Sequence, residues 1–426
     1  MNKLQFPRVG ETVCCDTLPN GLTVITLPRK GFRQSCAMLA IRCGGADLRF
    51  TSDGAEHTVP AGTAHYLEHK MFDLPDGGNA LDLLSARGAN ANAFTGSDMT
   101  AYHFTCTENF YENLDLLLSY VSTPYFTEAS VEKERGIISQ EIRMGQDSPN
   151  HALYEGLTAA LYPNHALKDT VAGTVESIAG ITADTLHTLH RAFYRPTNMA
   201  LICVGDVSFD RIASMTNRVY KTLPGRPPVS DYGDPDFAGA VPALVEKPMA
   251  VARPIFTLGA KVAPAAGGPA LMRQQLAADL AMDCLMGESS PFFNRLYADG
   301  LLRRDFGGET DFLANAGIVL VGGESKDPAA VQAALVQALE ETARLGLDEK
   351  SFLRARRASY AEMLYALEDM ESTAAMFARW HFRGADPMAV FDVLPEITPE
   401  EGAAFIVGAL NPERLCRMEV RPREEE

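Results

Sequence analysis

His65-Tyr66-Leu67-Glu68-His69 places two histidines and a glutamate at positions i, i+3 and i+4. On a helix these three side chains share one face. Two neutral imidazoles can hold a zinc ion, and the carboxylate between them can accept a proton from a water that the metal acidifies. Zinc brings the pKa of such a water to about 7, so a nucleophile exists at neutral pH. Glu68 is the only acid on that helix turn, which makes it the candidate general base.

A hydrolytic zinc site takes three protein ligands and keeps one position open. The best candidate for the third ligand is Glu141, within a stretch running from Ser130 to Met144. Val131, Ile137, Ile138, Ile142 and Met144 give that stretch helical rather than alternating spacing. Glu134 and Glu141 are seven residues apart and share one side of that helix. One of the two can bind the metal while the other hydrogen-bonds a ligand.

Elements must bring these groups together, and the chain is long enough to supply them. A sequence of 426 residues fits two domains. We place a zinc-bearing α/β domain at 1–222, a linker rich in Pro, Gly and Asp at 223–248, and a second α/β domain at 249–426. The first half opens with strands around Pro19-Asn20-Gly21, a hairpin turn signal. Another strand is expected at Ser35–Ile41, then the His65–His69 helix. Strands at Ala91–Thr95 and Thr100–Thr105 follow, then helices at Phe110–Ser122 and Glu128–Met144. A strand at Met199–Gly205 and a helix at Phe209–Lys221 close the half. The second half has a similar order of strand, helix, strands, helices and strand. That repetition predicts a duplicated α/β unit with mixed or antiparallel sheets under helices.

Composition narrows the function. Hydrophobic residues at 46% and charged residues at 22% are ordinary for a globular protein. No apolar run is long enough to span a bilayer. Met1 to Arg8 lacks the apolar core of a signal peptide, and the expected location is the cytoplasm. The net charge of −17 argues against nucleic acid and anionic membranes as partners. The eight cysteines form no C-x-x-C, and several lie in apolar strand-like runs such as Leu201-Ile202-Cys203-Val204. They read as reduced core thiols.

His65 to His69 is the H-x-x-E-H order of the inverzincins. Followed 72 residues after His69 by Glu141, it resembles the pitrilysin/insulinase family of zinc metallopeptidases. Further segments carry the likeness: Gly62-Thr63-Ala64, Lys70-Met71-Phe72, Asn90 to Thr95 with Thr100 to Phe104, and Glu132-Lys133-Glu134-Arg135-Gly136. Ala172-Gly173-Thr174 and Phe193 to Met199 complete it. Within the family the chain resembles the short bacterial processing-protease-like members.

The resemblance implies an α+β fold of two duplicated domains, each a mixed, mainly antiparallel sheet covered by helices, facing each other across a cavity. It implies one Zn²⁺ per chain on His65, His69 and Glu141, with Glu68 catalytic and Glu134 behind a ligand. It implies a substrate peptide added as a strand beside Asn92, Ala93, Phe94 and Thr95, a mode nearly blind to sequence.

One departure stands out. Active relatives carry an arginine and a tyrosine in the second domain that reach the scissile carbonyl. Here Tyr297 stands at the expected arginine, and Arg304 or Asp305 at the expected tyrosine. A heterodimer with a related metal-free subunit supplying that pair is therefore expected, otherwise a homodimer. The expected function is zinc metalloendopeptidase action on short or unfolded peptides, in peptide turnover or precursor processing. The rival from another class is a non-catalytic assembly or chaperone-like subunit. A zinc amidase is a third reading, which the peptide-binding strand disfavours.

Overall fold

The structure is a computed structural model and describes residues 1–221, 225–313 and 315–423. Residues 222–224, the end of the expected first domain and the first two residues of the expected linker, lie outside them. The chain forms two compact units: Met1–Ile142 with Asp169–Tyr232 and Leu364–Pro387, and Arg143–Lys168 with Gly233–Met363 and Met388–Glu426.

The first unit contains ten strands among the described residues. They are β1 (Asn2–Phe6), β2 (Glu11–Thr17), β3 (Thr23–Pro28), β4 (Ser35–Ile41), β5 (Arg49–Ser52), β6 (Ala55–Thr58), β7 (Ala89–Thr95), β8 (Thr100–Cys106), β9 (Met199–Gly205) and β10 (Val229–Ser230). Seven make one sheet in the order β1-β2-β3-β9-β4-β8-β7. Only the β3–β9 pair is parallel in that sheet. β4 and β9 are buried along their whole length. Such strands read as continuous apolar runs because both faces are covered. β7 lies at the edge, with one side of its backbone unpaired by any strand of the sheet.

The second unit holds β11 (Leu244–Met249), β12 (Ile255–Lys261), β13 (Gly307–Leu313), β14 (Ala316–Glu324) and β15 (Cys416–Pro422), in the order β11-β15-β12-β14-β13. Here too the first strand runs parallel to the last, and the other pairs are antiparallel. The β3-β9-β4-β8-β7 core of the first unit has this same connectivity. The duplicated, mixed and mainly antiparallel α/β architecture expected from the sequence is therefore present in both units.

The division of the chain differs from a simple cut near residue 222. The helix Pro149–Leu161 lies in the second unit, against β12 and β15. Leu153, Leu157 and Leu161 are buried there, and a side chain on Gly259 would meet Leu157 Cδ2 at 2.4 Å. The helix Met370–Phe382 lies in the first unit, against the equivalent strands β4 and β9. Each sheet is thus covered by a helix from the other half of the sequence. The expected linker also contributes structure: β10 pairs with β5 in the first unit, and β11 with β15 in the second.

All eight cysteines are free, and every one except Cys15 is buried. His190, on the helix Ala183–Phe193, is also buried. Its Nε2–H donates to the Val121 carbonyl at 3.0 Å, and its ring stacks on Tyr194. Burial pushes its pKa down to about 4. The folded pKa lies below the unfolded value of about 6.5, so the native state binds fewer protons between those limits. This contribution is complete above pH 6.5 and is lost as pH falls toward 4, at a cost of roughly 3 kcal/mol. His190→Gln is expected to remove that part of the acid destabilisation, checked by urea unfolding at pH 7 and pH 4.5 for both proteins.

Candidate metal centre

The helix α1 (Thr63–Lys70) carries the motif. It starts at Gly62, whose φ of +93° suits glycine, and where a Cβ would meet the Ala172 carbonyl oxygen at 2.6 Å. Gly173, at φ +74°, makes the reciprocal approach to Ala61. The two glycines let the loop after residue 170 close against the start of α1, and the Ser177 hydroxyl donates to the Ala61 carbonyl at 2.8 Å. Gly62→Ala is expected to lower stability by about 1–3 kcal/mol from positive φ plus the clash, read as a shift in unfolding midpoint.

Tyr66, Leu67 and Lys70 turn inward from α1 and are buried. The Tyr66 hydroxyl donates to the Val131 carbonyl, and the Lys70 ammonium donates to Asp73. Tyr66 thereby ties α1 to the helix α2 (Glu128–Gln146). With one face fixed, His65 and His69 emerge on the other. Their ring centroids are 4.7 Å apart at an interplanar angle of 68°.

α2 brings Glu134 and Glu141 to the two imidazoles. His65 Nε2 lies 3.5 Å from Glu141 Oε1, and His69 Nε2 lies 3.5 Å from Glu141 Oε2. One ligand atom from each of these three residues fits within 4.8 Å of the others, the only such group of three among the described residues. Glu134 takes a different place. Its Oε1 is 3.1 Å from His69 Nδ1. The carboxylate holds the proton on Nδ1, which leaves the Nε2 lone pair directed into the cluster, as a metal ligand needs. This donor set, two imidazole nitrogens and one carboxylate, is the kind zinc takes.

The electrostatics suit the same task. Burial, with the nearby His69, pushes His65 down to about 4, so its imidazole is neutral at physiological pH. For His69, burial acts downward, but the Glu134 hydrogen bond and the charges of Glu68, Glu134 and Glu141 outweigh it and raise its pKa. The His69 hydrogen bond keeps Glu134 below the usual carboxylate range. Burial raises Glu68, opposed by the Thr95 hydrogen bond and His69. Thr95 Oγ1 donates to Glu68 Oε2 at 2.7 Å. Glu68 is 8% exposed, so solvent screens it little.

Asn92, Ala93, Phe94 and Thr95 lie on the edge strand β7, which packs against α1. Asn92 is exposed, and its Oδ1 accepts from the Ala93 amide at 2.9 Å. His103, on β8, is buried, with Nε2 3.5 Å from Glu371. In the second unit Tyr297 is 47% exposed and stacks on Phe293. Arg303 pairs with Glu324 at 2.7 Å, and Asp305 accepts from the Glu324 amide at 2.9 Å. Sequence reading did not find the Thr95–Glu68 bond, which joins residues 27 apart. A hydroxyl at the end of a strand carries no local signal of such a partner.

The uncharacterized zinc protease YmfH of Bacillus subtilis (strain 168) is 35% identical to this chain over 427 residues, covering 99% of each. This chain belongs to the M16 peptidase family, the pitrilysin/insulinase family. The family models agree: "Insulinase (Peptidase family M16)" matches residues 54–175, and "Peptidase M16 inactive domain" matches residues 180–359. The crystal structure of an M16-like peptidase from Alicyclobacillus acidocaldarius superposes with a TM-score of 0.90 at 31% identity, over 99% of this chain and 100% of that one. A protease from Helicobacter pylori shares the fold, with a TM-score of 0.85 at 20% identity over 96% and 99% of the two chains. The first M16 model spans α1, β7, α2 and every residue of the His-His-Glu cluster. Among the described residues no helix is long and apolar enough to cross a membrane.

Proposed function

We propose that this M16 member is a zinc metalloendopeptidase acting on short or unfolded peptides. The observation that carries the reading is the convergence of His65 Nε2, His69 Nε2 and the Glu141 carboxylate beside a buried carboxylate, Glu68, held by a different partner. His65, His69 and Glu141 would hold the ion, one per chain. Bound there, zinc supplies Lewis acidity that polarises a carbonyl and makes water a nucleophile near neutral pH. Glu134 fixes the His69 ring through Nδ1. Glu68 accepts the proton from the attacking water and returns it to the leaving amine, and its raised pKa strengthens it as the base. The unpaired side of β7 from Asn92 to Thr95 would hold the peptide extended through main-chain hydrogen bonds. Relatives named as zinc proteases, in Bacillus subtilis and in Mycobacterium leprae, support the same reading.

The catalytic subunit would work in a heterodimer. Tyr297, stacked on Phe293, stands where the family's arginine is expected, and Arg304 or Asp305 stands where its tyrosine is expected. Lost oxyanion donors cost about a hundredfold or more in rate. The isolated chain is expected to bind zinc and cleave a long quenched-fluorescent peptide poorly. Mixing with a related, metal-free M16 subunit carrying the pair should raise turnover steeply. Mutating that subunit's arginine or tyrosine should abolish the rise while leaving the complex intact. Robust turnover by the chain alone would remove the heterodimer from this reading. The missing pair also favours a second reading, a non-catalytic assembly or chaperone-like subunit. Zinc binding without cleavage in any pairing would select it. A location in the cytoplasm fits both readings.

A further inference from the structure

We propose that Thr95 is a positioning residue for the general base: its hydroxyl holds Glu68 by Oε2 and leaves Oε1 as the free acceptor. The proposal rests on the peptidase reading above. The bond from Thr95 Oγ1 to Glu68 Oε2, at 2.7 Å, is the only hydrogen bond of the Glu68 side chain among the described residues. The last torsion of a glutamate is broad and roughly two-fold, so an unheld carboxylate would turn about it freely. One directed donor ends that freedom and makes the two oxygens inequivalent.

The donor itself is held. A hydroxyl has one proton, and Thr95 commits it to Glu68. Thr100 stands opposite Thr95 in the β7–β8 register and is fully buried. Thr100 Oγ1 lies 2.8 Å from the Cys43 carbonyl and 3.3 Å from Thr95 Oγ1. The Cys43 carbonyl can only accept and takes the Thr100 proton, and the Thr95 proton stays with Glu68. The Gly96 amide donates to the Met99 carbonyl at 2.8 Å and closes the turn joining the two threonines. Thr95 is also the last residue of the edge strand proposed to hold the peptide. The strand that would place the scissile bond and the base that would act on it are thus joined by one hydrogen bond. Such coupling matters because misplacement of a catalytic group is costly in rate.

The test compares wild type, Thr95→Val and Thr95→Ser. Valine keeps the branched shape and strand preference while removing the donor; serine keeps the donor. Three quantities are read: zinc affinity by chelator competition, binding of a peptide hydroxamate by calorimetry, and steady-state cleavage of a long quenched-fluorescent peptide in the subunit pairing that turns over. A hydroxamic acid gives up its proton on binding zinc, and the neighbouring carboxylate is its acceptor. Thr95→Val is expected to keep zinc affinity and KM within about twofold and to lower kcat by roughly 10- to 100-fold, the range for a hydrogen bond to a charged group. Hydroxamate affinity should fall with it, and Thr95→Ser should recover most of both. An unchanged kcat and hydroxamate affinity in Thr95→Val would overturn the proposal. So would a loss accompanied by loss of zinc, or one that serine fails to restore. A wild-type protein that binds neither zinc nor the hydroxamate would overturn the peptidase reading, and this proposal with it.

Discussion

Replacing Glu68 by glutamine is expected to leave one zinc per chain and to lower peptide hydrolysis by a factor of roughly 10²–10⁴, the usual share of general acid–base catalysis. Glutamine has the size of glutamate and can still accept from Thr95 Oγ1. It cannot take the proton from water. Because Glu68 is not one of the three converging ligands, metal content should not change. Zinc analysis alongside cleavage of a long quenched-fluorescent peptide separates the two properties. A Glu68→Gln protein with near-wild-type turnover would remove Glu68 from the mechanism.

His69→Ala is expected to be the most damaging substitution for the metal. It deletes one of three ligands and also leaves Glu134, 16% exposed, without the imidazole it bonds. Two remaining protein ligands hold zinc poorly. Zinc content should fall from one per chain toward zero, and hydrolysis should fall to background with it. Glu134→Gln offers a graded comparison. It keeps an acceptor for His69 Nδ1–H but removes the charge, and loss of such a partner costs about 10- to 100-fold in metal affinity. Full zinc occupancy in His69→Ala would overturn the ligand assignment.

Much of the site was legible because its first parts are local. His65, Glu68 and His69 lie within one helical turn, where spacing alone fixes a common face. Glu134 and Glu141 share a helix face for the same reason, and the structure separates their surroundings: one at His69 Nδ1, the other at both Nε2 atoms. What joins β7 to α1 was not legible. The Thr95–Glu68 bond depends on a strand register and a turn, and neither leaves a mark at Thr95 itself.

The fold divides in a similar way. Strands β4 and β9, with both faces buried, and the helix Phe110–Ser122 match the sequence reading residue for residue. β11 was hidden because it is an edge strand, with Lys247 exposed and Pro248 tolerated where no inner strand would accept it. The helix Pro399–Ala409 did carry a signal that went unread, a capping box from Thr398 to Glu401 with proline at its first position. The reciprocal placement of Pro149–Leu161 and Met370–Phe382 could not be read at all. Each helix shows an apolar face, but nothing local says which of two equivalent sheets will bury it.

Zinc titration of the metal-stripped chain decides whether His65, His69 and Glu141 form a catalytic metal centre. Bound zinc is followed by elemental analysis, and cleavage of a long quenched-fluorescent peptide is measured in the presence of the related subunit. Binding is expected to saturate at one zinc per chain, turnover to rise in proportion and stop at that point, and His65→Ala and Glu141→Ala to abolish both. Turnover that survives removal of the metal, or tight stoichiometric zinc binding in the absence of His65 or Glu141, would contradict that assignment.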